Sequence, residues 1–221
     1  MWMFIRRDFA AQYKQTVLGP LWHFIQPLFT TLIFVVVFSR IAEISTDGLP
    51  PLIFYLSGIT IWNYFSSCLI ATSNTFVANA YIFGKVYFPR LVMPLSVVLS
   101  NMVKFGIQFL LLISAMIWYA INGTEIHPGN SLFFIPVVLL MMACMGLCLG
   151  IIISSLTTKY RDFAVLITFG VQLLMYATPV VFPMSAVKSP DLKFWLSINP
   201  LTPTADTEKN QYQTAAQRPG R

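Results

Sequence analysis

Two groups of polar and aromatic residues interrupt otherwise apolar stretches of this chain. Trp22, Gln26, Phe29 and Thr30 recur at helical spacing near the start, and Phe169, Gln172 and Tyr176 do so near the end. A side-chain amide costs energy in hydrocarbon unless it finds a partner. Such faces therefore either line a polar path with aromatic rings as platforms, or join neighbouring helices by interhelical hydrogen bonds. Lys104 raises the same question inside a third apolar run. It either snorkels from near a membrane boundary or stands in a substrate path. Met141, Cys144, Met145 and Cys148 form a sulfur stripe of the ligand type that Cu(I) favours. Four sulfurs spread over i to i+7 of one helix cannot easily close round one ion, so the stripe reads as packing. Gly146, Gly150 and Ser154 repeat every four residues, a spacing of small side chains that lets two helices approach closely.

A different chemistry is offered by "NAYIFGKVYFPRLVMP", residues 79–94, which holds Tyr81, Phe83, Tyr87 and Phe88 together with Lys85, Arg90 and two prolines. It is too polar to cross a membrane and too aromatic for a plain solvated loop. Pro89 and Pro94 bound a stretch that reads as a short helix presenting aromatics and a charge. "RDF" occurs twice, at Arg7-Asp8-Phe9 and Arg161-Asp162-Phe163. Each copy reads either as a helix start with an acid at its N-terminus or as a docking surface for a soluble partner. There is no glycine-rich phosphate loop, no His/Asp/Glu metal cluster, no carboxylate deep in an apolar run and no legible nucleophile–base pair. The expectation is a conduit that borrows its energy and carries no cofactor or metal of its own.

The elements that position these residues follow from composition. Hydrophobic residues make up 57% of the 221, charged residues only 10%, and mean hydropathy is +0.71. Soluble domains carry roughly a quarter charged residues, so an all-α polytopic membrane protein is predicted. No cleavable leader is expected, because the first apolar run has full span length and no small-residue cleavage site. Five spans are predicted, over about 21–39, 51–74, 95–121, 132–156 and 163–182. Residues 1–20 form an amphipathic interface helix, with Trp2, Ile5, Phe9 and Tyr13 on one stripe and a break at Gly19-Pro20. Cys68, Cys144 and Cys148 lie in apolar runs and read as small packing residues. Arg6, Arg7, Lys14, Lys85, Arg90, Lys159 and Arg161 all fall on one side, which the positive-inside rule makes cytoplasmic. The net charge of +6 thus reflects topology and implies no nucleic-acid partner.

With these motifs in place, the chain resembles the permease subunits of ABC-type polysaccharide exporters, the type-2 ABC exporters. "RRDFAAQYKQTVLGPLWHFIQPL", "KVYFPRLVMPLS", "KYRDF", "TPVVFPMS" and "NPLTP" follow that family's order, over residues 1 to about 203. The resemblance implies a homodimer that carries O-antigen, capsule or teichoic-acid chains on lipid carriers across the bacterial inner membrane, driven by two ATPase chains that hold ATP and Mg. It makes residues 79–94 the coupling elbow. Tyr81, Phe83, Lys85, Tyr87 and Arg90 would then meet the ATPase, with Asp8, Arg161 and Asp162 beside them. It places the Trp22 and Phe169 faces along a path at the dimer interface, and it makes 183–199 short outer gate helices. The family continues into a sixth span, whereas "TADTEKNQYQTAAQRPGR", residues 204–221, is polar and predicts a disordered tail outside the membrane. One permease domain is thus expected over 1–203. The rival expectations are a drug or small-lipid ABC permease, an ATP-independent transporter or channel, and a membrane-embedded enzyme.

Overall fold

The computed structural model describes residues 19–44, 46, 49–83, 89–123, 135–160, 162–178 and 191. Every regular element among them is helical. A 3-10 turn, Gly19–Leu21, leads into α1, Trp22–Phe34, which continues as a π-helix over Val35–Ile41. Gly19 takes φ 45°, a backbone state that costs glycine nothing, so the expected break falls there. Then follow α2, Pro51–Ala78; α3, Ala80–Phe83; α4, Val92–Ile121; α5, Ile135–Lys159; and α6, Asp162–Tyr176.

Four of these are long and apolar enough to cross a membrane: Trp22–Ile41, α2, α4 and α5. The fifth predicted span is a correction to the count. It forms a helix, but α6 has 15 residues, about 22 Å at 1.5 Å per residue, short of the roughly 30 Å hydrocarbon core. Residues 179–182 of that expected span lie outside the described ones. The other boundaries move by a few residues. Span three begins at Val92, two residues before Pro94, because a proline in the first helical turn lacks only an N–H that has no partner there. The interface helix, the outer gate segment and the tail also lie outside the described residues.

The core is built round α2. In its most apolar stretch 78% of residues are buried, against 17% for α1, 33% for α4 and 28% for α5. Its sequence explains this. Ser57, Thr60, Ser73 and Thr75 give their hydroxyl protons back to carbonyls three or four residues earlier, at 2.7–3.0 Å. A small residue whose hydroxyl is satisfied on its own helix can be buried on any face without a foreign partner. On one side α2 meets the small stripe of α5. A Cβ added at Gly146 would sit 2.9 Å from the Cys68 Cβ, and one at Gly150 only 2.6 Å from the Thr72 Cβ. One turn further on, the Thr157 hydroxyl donates to the Ser73 carbonyl at 2.6 Å. On the other side Ile53 and Leu56 of α2 pack with Leu112 of α4. Val171 of α6 joins the cluster formed by Phe65, Cys68 and Leu69. Where α1 passes into its π-helical end, Phe34, Phe38 and Tyr55 form an aromatic knot, with ring centroids 5.3–6.2 Å apart.

The sulfur stripe divides. Cys68 is buried in the α2–α5 contact, as expected of a packing cysteine, but Cys144 and Cys148 are exposed, as is Met141. The glycines one position along turn inward, so a helix 100° per residue must turn these cysteines outward. The outer surface carries Trp118, Ile121, Leu140, Ile152 and Val165, each more than three-fifths accessible. A contiguous apolar exterior of this kind is what a bilayer solvates and water does not.

Candidate functional site

The two predicted path faces both turn outward from the chain. Trp22 is 50% accessible and Phe29 61%, and Gln26 is exposed beside them. Thr30 is half-buried, and its hydroxyl donates to the Gln26 carbonyl at 2.9 Å, which removes it as a donor to anything else. On α6, Phe169 is 61% and Tyr176 53% accessible, with Gln172 exposed between them. Both helices pack on α2. A single chain therefore presents two open half-surfaces and does not close them into a path.

The elbow begins where Asn79 interrupts the α2 helix. Its side-chain amide donates to the Thr75 carbonyl at 2.9 Å and so caps the helix end. The short helix expected here is the single turn α3, and Tyr81 on it is 65% accessible. Arg90 is exposed in the turn that starts α4, where the Val92 N–H donates to the Pro89 carbonyl at 3.0 Å. Lys85 and Tyr87, Asp8 and Arg161, and the side chain of Phe83 lie outside the described residues. At the second "RDF", Asp162 is exposed in the first turn of α6, where its charge complements the helix dipole. Beside it the Tyr160 and Phe163 rings lie 5.9 Å apart, and the Lys159 ammonium stands 5.2 Å from the Tyr160 ring centre. This is an amphipathic surface of aromatics and charge on the same side as α3, because α2 and α5 run in the same direction to reach it.

A third feature was not assembled from the sequence. His23 and Gln26 of α1, Asn63, Tyr64 and Ser67 of α2, and Asn101, Lys104, Phe105 and Gln108 of α4 line a cleft of about 180 Å³. The Asn63 amide donates to the Gln108 carbonyl oxygen at a long 3.4 Å. Asn101 and Gln108 are buried at its floor, and Gln26 is exposed at its rim. Lys104, expected either to snorkel or to stand in a path, is in this cleft wall. The signal was legible in hindsight: His23/Gln26, Asn63/Ser67 and Asn101/Lys104/Gln108 each recur at i+3, i+4 or i+7 within apolar runs. Which helices those faces turn toward was not.

Among the described residues no three His, Cys, Asp or Glu side chains gather as a metal ion would need. An all-helical bundle with an apolar exterior, a polar cleft and an aromatic, charged elbow defines a multi-pass membrane transport protein. The chain belongs to the ABC-2 type transporter family, whose sequence profile matches residues 1–207. It is similar to an O-antigen export system permease protein RfbA of Klebsiella pneumoniae, 29% identical over 198 residues that cover 88% of this chain and 73% of the relative. A second Klebsiella pneumoniae protein of that name is 26% identical over 196 residues, covering 88% and 73%. The protein so named in Myxococcus xanthus is 26% identical over 198 residues, covering 89% and 74%. The chain is thus a transport subunit, and membership of the ABC-2 family implies an ABC ATPase partner.

Proposed function

We propose that this chain is the permease subunit of an ATP-driven exporter that moves lipid-linked polysaccharide of the O-antigen type across the bacterial inner membrane. The observation that carries the reading is the alignment of three O-antigen export permeases along 88% or 89% of the chain. In this reading two copies stand side by side, and separate ATPase chains hold ATP and Mg beneath the elbow. The open faces of α1 and α6 support it. A second copy covering Trp22, Gln26, Phe29, Phe169, Gln172 and Tyr176 would turn two half-surfaces into a lined path. Aromatic rings suit the apolar faces of sugars, and amides suit their hydroxyls.

The test is export of labelled glycan by cells expressing the chain with its ATPase. Gln26→Leu with Tyr176→Leu is expected to lower export about tenfold, as for loss of one or two hydrogen bonds along the path. Dimer content on size-exclusion chromatography should be unchanged. Export at the wild-type rate would remove both faces from the path, and export independent of ATP would defeat the exporter reading.

The basic loops place the N-terminus and the elbow in the cytoplasm. Ala215→Cys, in a chain without its native cysteines, checks this in sealed cells. Labelling from outside fits five crossings. Protection until the cells are permeabilised means a different number.

A further inference from the structure

We propose that the cleft between α1, α2 and α4 binds the phosphate group of a membrane lipid. Its lining carries a lysine and a histidine and no acid, so the site has a net positive character. Asn63, Asn101, Gln26 and Gln108 add amide N–H groups and Ser67 a hydroxyl, the donors that phosphate oxygens accept. The Asn101 Nδ2 is buried without a hydrogen-bond partner. A buried donor in that state costs free energy that an acceptor in the cleft would recover. A cleft of about 180 Å³ takes a phosphate with its waters, and is too small for a sugar chain.

Depth identifies the source of the phosphate. His23 is the second residue of α1, so it lies at the membrane boundary where headgroups lie. Lys104 is in the same cleft, twelve residues into α4, which at 30 residues is longer than the hydrocarbon core is thick. The cleft thus leads from headgroup depth into the half of the bilayer where α1 begins. A lipid whose chains stay in that leaflet can place its phosphate there with a small displacement. The assignment concerns lipid of the surrounding leaflet and stands whatever cargo the transporter moves.

The test uses the full chain with its ATPase partner in a phosphate-free maltoside detergent. Dioctanoyl phosphatidate is titrated while the melting temperature is followed, with dioctanoylglycerol as the headless control and inorganic phosphate as a competitor. Phosphatidate should raise the melting temperature saturably and dioctanoylglycerol should not. Lys104→Met should raise the half-saturating concentration about tenfold or more, and Lys104→Arg should leave it within about threefold, as for loss or retention of one charge-assisted contact. Asn63→Leu provides a second variant, expected to weaken binding about threefold. Equal responses to the two lipids, or an unchanged titration in both Lys104→Met and Asn63→Leu, overturn the proposal. So does inorganic phosphate reproducing the whole response alone, which would make the ligand a free anion.

Discussion

Gly150→Leu is expected to prevent the protein from reaching its folded state in detergent at a useful yield. A Cβ alone at this position would lie 2.6 Å from the Thr72 Cβ, 2.7 Å from its Cγ2 and 3.1 Å from the Leu69 carbonyl oxygen. The last of these is backbone of the central helix and cannot swing away. α5 would have to move off α2 along the whole small stripe, breaking the Thr157–Ser73 hydrogen bond and opening the contact that buries Cys68 and Leu69. Overpacking costs about 1–3 kcal/mol where side chains can yield and more where backbone must shift, and native stability is only about 5–15 kcal/mol. Gly150→Ala should already lower the melting temperature, with a smaller loss at Gly146, where the nearest atom is at 2.9 Å. Gly170 supplies the control, because a Cβ there meets nothing within 4 Å. Gly170→Ala should be neutral or stabilise by up to about 1 kcal/mol, the helix preference of alanine over glycine. Equal melting of Gly150→Leu and wild type would refute the close α2–α5 packing.

The second large effect is expected at the elbow. Tyr81 is 65% accessible on a single turn that follows directly from the central helix, so a partner bound there pushes on α2. A tyrosine anchoring an interface is a frequent hot spot, with truncation costing about 2 kcal/mol or more, which is roughly thirtyfold in affinity. Tyr81→Ala combined with Lys85→Glu should weaken capture of the ATPase chain by that factor, or leave capture intact while ATP hydrolysis no longer drives export. Membrane insertion and melting temperature should stay at wild type, because Tyr81 is not packed in the core. Wild-type capture and export together would reduce the elbow to a topology anchor.

The sequence by itself determined the class of the protein. Apolar runs of span length allow only helices or closed barrels in a bilayer, and the runs were too long and too continuous for strands. It also located the small stripe of Gly146, Gly150 and Ser154, because a four-residue spacing has only one geometric reading on a helix. The break at Gly19 was legible for the same local reason. What the stripe packs against was decided by the tertiary structure, since Cys68 and Thr72 lie some 80 residues away and no local rule pairs them. The centrality of α2 was likewise hidden, because its average apolarity is no greater than that of its neighbours. Its burial arises from small hydroxyl residues that satisfy themselves on every face. The length of α6 and the outward turn of Cys144 and Cys148 also had to be seen. The polar cleft shows the division most plainly. Each of its three helical faces was written in the sequence as polar residues at i+3, i+4 or i+7, but hydrocarbon gives every such face the same reason to find a partner. Only the packing of α1, α2 and α4 determined that these three found one another.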